Sequence, residues 1–148
     1  MSKKYNICVV CYANFCRSPV AERILKEHMS SEFNISSAGI NPLTEANMDK
    51  RSFDFLESIN INPGIHNPNK IDLKVINNSD LIIPLDAKIM MSLQRKFNFT
   101  KKMMILNFYE PSKIIYDPYR FNDNDYHKLM KRLLRVSINF ANKFQNEK

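Results

Sequence analysis

The sequence predicts an α/β fold with three layers, in which a four-stranded parallel sheet of strand order 2-1-3-4 lies between helices on both of its faces. Short apolar segments alternate with segments whose apolar residues recur at helical spacing, which is typical of consecutive βαβ units. Two apolar segments, at residues 7–10 and 81–83, are continuous rather than alternating, as in strands buried on both faces. The 148 residues, 44% hydrophobic and 25% charged, fit one domain that spans residues 1–148.

The individual elements follow from local patterns along the chain. Strands are predicted at four short apolar segments, at about residues 5–10, 34–38, 81–85 and 103–106. A helix begins near Pro19, and its inward face is a stripe of apolar residues: Val20, Ala21, Ile24, Leu25 and Met29. A second helix shows the same kind of spacing at Met48, Phe55, Leu56 and Ile59.

The second half of the chain carries two further helical patterns. Asp86 is typical of a helix N-cap and predicts a helix over residues 87–96. The last helix runs from about residue 123 to 144, with a long apolar inner face: Tyr126, Leu129, Met130, Leu133, Val136, Phe140 and Phe144. Loops before the third strand and before this helix are marked by Pro63, Gly64, Pro68, Pro111 and Pro118. No helix is predicted in the Asn-rich stretch 60–78.

Charge and hydropathy narrow the functional class. The net charge of +7 and the pI of about 9.4 indicate either attraction of anionic substrates or a solvated basic surface. We expect no nucleic-acid partner, because the basic residues are spread along the chain and form no recognisable nucleic-acid module. We also expect no membrane span, because no apolar run approaches roughly 20 residues. The apolar start is shorter than a signal-peptide core of roughly 7–15 residues, which predicts a cytoplasmic protein.

The three cysteines, Cys8, Cys11 and Cys16, lie within nine residues of one another. An odd and clustered set of this kind is not a disulfide framework. The three histidines are scattered and cannot complete a zinc site at ordinary ligand spacing. We therefore expect a catalytic or redox thiol, with no metal site and no cofactor.

Residues 11–17, called here the Cys loop, lie where the first predicted strand ends and the first helix begins. Backbone N–H groups in such a turn point inward, and the helix N-terminus adds partial positive charge. Both features bind phosphate and favour the thiolate form of Cys11, which is the nucleophilic form. The planar guanidinium of Arg17 can grip two phosphate oxygens at once. The spacing of Cys11 and Arg17 therefore predicts phosphate chemistry.

Other polar residues complete this hypothesis. Asn14 lies where the Cys loop must turn, and Asn tolerates the left-handed backbone conformation that such a turn demands. Ser18 is a candidate donor to the Cys11 thiolate, a helix cap, or both. Asp117 is a candidate proton donor for a leaving group, because Pro118 biases it to an extended conformation that projects its side chain. An ordinary Asp-Pro turn is the alternative for that pair.

These motifs resemble those of the low molecular weight protein tyrosine phosphatases. The matching segments follow one another in the family's order over nearly the whole chain: residues 10–22, 36–39, 66, 85–86, 115–119 and 122–123. The combination of the Cys loop with a distal Asp-Pro-Tyr sequence is highly specific for that family.

The resemblance implies catalytic roles for three residues. Cys11 is the nucleophile and forms a phosphocysteine, Arg17 binds the phosphoryl oxygens, and Asp117 protonates the leaving group and then activates water. It also implies a set of residues that bind phosphate or substrate: Tyr12, Ala13, Asn14, Phe15, Cys16, Ser18 and Tyr119. Within this set the backbone amides of the Cys loop hold the phosphate. The rings of Tyr12 and Tyr119 form the walls of the pocket.

The resemblance has further implications around this site. Ser37 and His66 support the shape of the loop at Asn14, and Cys16 forms a reversible disulfide with Cys11 that protects the nucleophile. The implied partner is a phosphotyrosine protein, with a tyrosine kinase of polysaccharide export as a candidate. The family usually has Gly at position 13, and Ala13 would be strained by about 1 kcal/mol if that position required a positive φ.

Three alternative functions remain open from the sequence. An arsenate reductase shares this type of loop, but it needs relay cysteines, and no cysteine follows Cys16. A phosphatase for another phosphoresidue, such as phosphoarginine, is the second alternative, although the apolar Phe15 suits an aromatic phosphoester better. A phosphate-binding module with a decayed site is the third, although Cys11, Arg17 and Asp117 are all present.

Overall fold

A parallel sheet forms the centre of the computed structural model, which describes residues 3–43, 47–98 and 102–148. Its strands are β1 (Tyr5–Cys11), β2 (Phe33–Gly39) and β3 (Leu81–Pro84), in the order β2-β1-β3. The central strand β1 is parallel to both neighbours, and its Ile7 lies opposite Ile35 on one side and Leu81 on the other. The last five residues of β1 are buried, which explains its continuous apolar sequence.

The prediction of a fourth strand at residues 103–106 is wrong, because this segment forms only one bridge to β3, between Ile82 and Met103. The next N–H in the ladder would come from position 84, and Pro84 has none. The N–H of Leu106 nevertheless donates to the carbonyl oxygen of Pro84 at 3.0 Å. The segment therefore lies beside β3, in the place that the predicted strand order assigned to it.

Helices cover both faces of the sheet, which confirms the predicted α/β architecture. The described residues form five of them: α1 (Ser18–His28), α2 (Lys50–Ser58), α3 (Leu73–Asn77), α4 (Ala87–Phe97) and α5 (Asp123–Glu147). The two faces are evident from β1, where Ile7 and Val9 pack in an apolar cluster with α1, α2 and α5. Cys8 and Val10 point to the opposite cluster, which contains residues of α3 and α4.

The helix starts follow the capping preferences of short polar side chains. Four helices have an Asp or Asn N-cap that accepts a backbone N–H of the first turn: Asp49, Asp72, Asp86 and Asn122. Helix α3 has only five residues, too few for a periodic pattern, and the sequence did not predict it. Helix α1 has no side-chain cap, so its first N–H groups remain available to an anion.

The topology brings the ends of the central strands to one edge of the sheet. Val10 pairs with Pro84, so the segments that follow β1 and β3 leave the sheet side by side. Cys11 ends β1, and Asp86 follows β3 by two residues. In open α/β sheets the ligand site lies at this edge. Across the described ranges, no helix has both the length and the apolar character needed to cross a membrane.

Candidate active site

The Cys loop connects β1 directly to α1 and has one left-handed residue. Asn14 has φ of 53° and is fully buried. Among the described residues the positive φ angles occur at five positions: Asn14, Asn60, Gly64, Asn98 and Lys102. Ala13 is therefore not strained by a positive φ, and the turn depends on Asn14, as the sequence predicted.

Gly39 at the end of β2 supports the Cys loop from behind. A Cβ atom at Gly39 would lie 2.8 Å from the backbone nitrogen of Asn14 and 2.8 Å from the carbonyl oxygen of Tyr12. The chain after Gly39 binds the loop through its backbone, since the N–H of Asn41 donates to the carbonyl oxygen of Tyr12 at 2.8 Å. The loop is thus seated on β2, and only glycine leaves room for this close approach.

A chain of hydrogen bonds leads from the Cys11 thiol into the protein interior. The Cys11 Sγ lies 2.9 Å from the Oγ of Ser18, which accepts from the Nδ2 of Asn14 at 2.7 Å. The same Nδ2 donates to the Oγ of Ser37 at 3.0 Å, and the Ser37 hydroxyl donates to Glu22. Because the Ser18 oxygen already accepts from Asn14, its proton is free to stabilise a thiolate at Cys11. Ser18 acts here and not as the α1 cap.

Asn14 is held from a further side by the loop between α2 and α3. Its carbonyl oxygen lies 2.7 Å from the Nε2 of His66, and its Oδ1 accepts from the backbone N–H of Asn69 at 2.9 Å. Burial lowers the pKa of His66, while the hydrogen bond to the carbonyl oxygen opposes that decrease. The structure therefore brings His66 and Ser37 together at Asn14.

Arg17 is buried at the base of the site, with 2% of its surface exposed. Its Nη1 donates to the Oδ2 of Asp86 and to the carbonyl oxygen of Ile115, each at 2.7 Å. These are its side-chain hydrogen bonds within the part of the chain that the structure describes. Two partners for one nitrogen fix the orientation of the guanidinium and leave Nε and Nη2 for a phosphate.

Cys16 lies on the side of the Cys loop that faces α2. Its Sγ is 3.8 Å from the Oδ2 of Asp49, and burial raises the pKa of the thiol to about 12. The negative charges of Asp49 and Asp117 also raise the pKa of Cys16. Cys16 is therefore protonated at neutral pH, and all three cysteines are free. The disulfide with Cys11 stays a prediction.

The mouth of the site is a cavity of about 320 Å³ in front of the Cys loop. Its lining contains the three residues to which the sequence assigned catalytic roles: Cys11, Arg17 and Asp117. Tyr12, Ala13, Phe15, Cys16 and Tyr119 line the same cavity, together with Asn41 and Leu43. The Asp117 carboxylate accepts from the backbone N–H of Tyr119 at 3.1 Å.

Aromatic rings form two sides of this cavity. The ring of Phe15 meets the ring of Tyr119 edge to face, with 6.1 Å between the centroids. Tyr12 and Tyr119 are about half exposed, at 50% and 53%. The cavity thus combines a polar, electropositive base with an apolar rim that fits a flat side chain.

Sequence reasoning assigned no role in the site to four charged residues that support it: Glu22, Asp49, Arg51 and Asp86. Asp86 was predicted only as a helix cap, and its Oδ1 does accept from the N–H of Ile89. Its contact with Arg17 spans 69 residues of sequence, which no local pattern can reveal. Within the described ranges no cluster of three or more His, Cys, Asp or Glu side chains has the geometry to hold a metal ion.

The comparison with protein families gives one match over nearly the whole chain. The family model of the low molecular weight phosphotyrosine protein phosphatases matches residues 6–148. The chain is also 30% identical to the low molecular weight protein-tyrosine-phosphatase Ptp of Acinetobacter johnsonii over 115 residues. This alignment covers 78% of the present chain and 80% of the relative.

Solved structures share the fold. The tyrosine phosphatase Wzb from Escherichia coli K30, in complex with sulphate, superposes with a TM-score of 0.84 at 26% identity and covers 94% of this chain and 97% of that chain. The arginine phosphatase YwlE from Geobacillus stearothermophilus superposes with a TM-score of 0.87 at 21% identity and covers 97% and 94%. At that lower identity the likeness concerns the fold alone.

Proposed function

Because the chain belongs to the low molecular weight phosphotyrosine protein phosphatase family, we propose that it hydrolyses phosphotyrosine on proteins through a phosphocysteine at Cys11. One observation carries this proposal: Cys11, Arg17 and Asp117 line the same cavity although they come from distant parts of the sequence. A nucleophile, a phosphate-binding cation and a proton donor are the groups that the reaction needs.

In the first step the Cys11 thiolate attacks phosphorus, an S–P bond forms and the bond between phosphorus and the tyrosine oxygen breaks. Protonated Asp117 gives its proton to the departing oxygen, so that neutral tyrosine leaves. The Ser18 hydroxyl, 2.9 Å from Sγ, stabilises the thiolate before the attack. Arg17 and the amides of the Cys loop bind the three phosphoryl oxygens as charge develops on them.

In the second step a water molecule attacks the phosphocysteine. The Asp117 carboxylate takes a proton from this water, the P–O bond forms and the S–P bond breaks. The products are inorganic phosphate and the Cys11 thiolate, with Asp117 protonated again. The N–H of Tyr119, which donates to the Asp117 Oδ1, holds the Asp117 side chain in place for both steps.

The rim of the cavity supports an aromatic substrate. The edge-to-face pair of Phe15 and Tyr119, with the half-exposed ring of Tyr12, gives a phenyl ring apolar surface on more than one side. Phosphotyrosine presents such a ring, whereas phosphoarginine presents a flexible charged chain. The polysaccharide-export tyrosine kinase expected from the family resemblance is a candidate substrate protein.

Two substitutions test the mechanism with an aryl phosphate as substrate. Cys11→Ser should reduce kcat/KM to background, because an alcohol at neutral pH is a far weaker nucleophile than a thiolate. Asp117→Ala should lower kcat/KM by about 10²- to 10⁴-fold on a phosphotyrosine peptide, the range typical of general acid catalysis. Cys8→Ala, a change of the buried thiol on the other face of β1, is the matched control and should retain activity.

A set of three phosphopeptides tests the substrate class. Wild-type rates are measured on one peptide sequence that carries phosphotyrosine, phosphoserine or phosphoarginine. We expect hydrolysis of the phosphotyrosine peptide to dominate. Faster hydrolysis of the phosphoarginine peptide would show that the proposed substrate class is wrong. Arsenate-dependent oxidation of a thioredoxin-type reductant would show that the proposed reaction is wrong.

A further inference from the structure

Arg51 lies outside the cavity, in the first turn of α2, yet its side chain contacts the Asp117 loop, defined here as residues 115–121. Its Nη1 donates to the carbonyl oxygen of Phe121 at 2.7 Å, and its Nη2 donates to that of Tyr119 at 3.0 Å. Tyr119 in turn donates its own N–H to Asp117. Arg51 is thus connected to the proposed proton donor through one residue, Tyr119, whose carbonyl oxygen accepts from Arg51 and whose N–H donates to Asp117.

The same guanidinium is tied to the Cys loop through Asp49. Its Nε and Nη2 donate to the two carboxylate oxygens of Asp49, at 3.0 and 2.9 Å. The backbone N–H of Asp49 donates to the carbonyl oxygen of Phe15 at 3.0 Å, and the Cys16 thiol donates to the Asp49 Oδ2. The two-pronged contact fixes the plane of the guanidinium relative to the Cys loop.

A second connection from Arg51 to the Cys loop runs through the aromatic ring of Tyr126. The Cζ of Arg51 lies 3.9 Å from the centroid of the buried Tyr126 ring. The Tyr126 hydroxyl is 2.5 Å from the Oγ of Ser52, which donates to the carbonyl oxygen of Cys16 at 2.8 Å. Because Ser52 uses its proton on Cys16, Tyr126 must donate to Ser52.

The ion pair that anchors this arrangement persists at neutral pH. Burial raises the pKa of Asp49, but the hydrogen bonds and charge of Arg51 outweigh this effect and lower it overall. The hydrogen bonds from Arg51 to Asp49 raise the pKa of Arg51. The side chain of Asp49 is only 9% exposed and that of Arg51 28% exposed, so water screens the pair weakly.

We propose that Arg51 is a positioning residue that holds the Asp117 loop against the Cys loop, so that Asp117 reaches the leaving oxygen of a substrate bound at Cys11. The inference rests on the proposed function and adds a separate requirement to it. Only an arginine can supply these contacts, because its three nitrogens donate in one plane to a carboxylate and to two carbonyl groups. A lysine ammonium is a single point charge and cannot form the two-pronged contact.

The test is the dependence of kcat/KM on the leaving group. Wild type, Arg51→Met and Arg51→Lys are compared on a series of aryl phosphates whose phenols span a wide range of acidity. A good leaving group needs little protonation, so we expect Arg51→Met to lose less than about threefold on it and about 10- to 100-fold on phenyl phosphate. Lys50→Met, at the exposed neighbouring position whose ammonium contacts Asp54, is the matched control and should follow wild type.

A double-mutant cycle with Asp117→Ala gives the second readout. If Arg51 acts through Asp117, adding Arg51→Met to Asp117→Ala should change kcat/KM on phenyl phosphate by less than about threefold. Circular dichroism and thermal unfolding verify that each variant is folded. Should Arg51→Met fail to fold, Arg51→Lys, which keeps the charge over the Tyr126 ring, decides the outcome with the same expected direction.

Two results would overturn the inference. One is a loss of kcat/KM that is the same for every leaving group, and the other is full additivity with Asp117→Ala. Both would assign Arg51 a structural role that does not involve proton donation. Absence of wild-type activity on all aryl phosphates would instead remove the proposed function, so the two failures are distinguishable.

Discussion

Asn14 shows how one residue can define a phosphate-binding loop. Its backbone has φ of 53°, and its side chain and carbonyl oxygen together contact Ser18, Ser37, His66 and Asn69. A left-handed conformation is less unfavourable for Asn than for other residues that have a side chain, and these contacts hold it in place. One residue therefore fixes the point at which the Cys loop turns its amides toward a phosphate.

Gly39→Ala should damage the Cys loop without touching the cavity. The added methyl group would lie 2.8 Å from backbone atoms of both Asn14 and Tyr12, and backbone cannot rotate away as a side chain can. We expect the free energy of unfolding to fall by about 1–3 kcal/mol, as for other overpacked sites. We also expect kcat/KM on an aryl phosphate to fall at least about tenfold, because displaced amides bind phosphate poorly.

Gly64→Ala is the matched control for Gly39→Ala. Gly64 has φ of 61°, and no atom lies within 4 Å of the place that an alanine methyl group would occupy, so alanine there meets only backbone strain of about 1 kcal/mol. It should lower stability and leave kcat/KM unchanged. Equal effects of the two substitutions on kcat/KM would contradict the assignment of Gly39 as the seat of the loop.

His66 links loop stability to pH. The Nε2 of His66 carries a proton and donates it to the carbonyl oxygen of Asn14, because a carbonyl oxygen can only accept. Burial lowers the pKa of the His66 ring. The unfolded chain therefore binds a proton more readily than the folded protein. The stability from neutral His66 is complete above pH of about 6.5 and is lost as the pH falls toward the lower folded pKa.

His66→Gln should remove this contribution to the pH dependence. Glutamine can still donate to the Asn14 carbonyl oxygen but does not titrate. Between pH of about 7.5 and 5.5 we expect the free energy of unfolding of wild type to fall more steeply than that of His66→Gln. Denaturant unfolding at each pH measures both, and His28→Gln, made at an exposed histidine, controls for the loss of an imidazole. Identical slopes for wild type and His66→Gln would contradict the argument.

At the scale of elements, Asp86 connects the start of α4 to the guanidinium of Arg17. Its Oδ1 caps the helix by accepting from the N–H of Ile89 at 2.8 Å, while its Oδ2 binds the Nη1 of Arg17 at 2.7 Å. The helix end and the arginine therefore share one carboxylate. A substitution at this position can separate the two functions.

Asp86→Asn and Asp86→Ala should affect activity alike and stability differently. Both remove the charged partner of Arg17, and a hydrogen bond to a charged group is worth about 1.5–3 kcal/mol, so kcat/KM should fall at least about tenfold in each. Asparagine can still cap α4, whereas alanine cannot. The free energy of unfolding of Asp86→Ala should therefore be about 1 kcal/mol lower than that of Asp86→Asn. Equal stability of the two variants would show that the cap contributes nothing measurable.

The elements also show which features the sequence could predict. Continuous apolar runs identified β1 and β3 because both faces of these strands are buried, and Asp86 identified the start of α4. The prediction of a fourth strand was wrong because Pro84 in β3 has no N–H to donate to the neighbouring segment. The sequence of residues 103–106 alone cannot reveal this missing hydrogen bond. Helix α3 was missed because five residues carry no periodicity.

The candidate site likewise has one part that the local sequence indicates and another that only the fold reveals. Cys11, Asn14, Arg17 and Ser18 lie in one short segment whose spacing reflects a single strand-to-helix turn, so the local sequence was enough to propose that they lie together. The contacts of Arg51 with the Asp117 loop span 68 and 70 residues, and their existence depends on how α2 packs against α5. Such tertiary contacts follow from the fold and cannot be read from a motif.

At the scale of the whole molecule, the chain carries a net charge of +7, and the proposed substrate is an anion. A field of this sign raises the local concentration of anionic substrates and their association rate, by about 10- to 10³-fold in strongly steered cases. Salt shortens the reach of the field, from about 30 Å at 0.01 M ionic strength to about 8 Å at 0.15 M. Ionic strength should therefore act on substrate capture more than on the chemical steps inside the cavity.

Phosphotyrosine peptides of opposite net charge distinguish this long-range field from local phosphate binding. As salt rises from about 0.01 to 0.15 M, kcat/KM for an acidic peptide should fall more steeply than that for a basic peptide with the same residues next to the phosphotyrosine. Both peptides bind the same Arg17 and the same amides, so competition of salt anions at the Cys loop affects them equally and cancels in the ratio. The kcat/KM of the acidic peptide divided by that of the basic peptide should thus decline as salt rises, while kcat for each peptide stays nearly constant. A ratio that does not change with salt would mean that the positive charges are too dispersed over the surface to steer substrates, and that capture depends on the cavity alone.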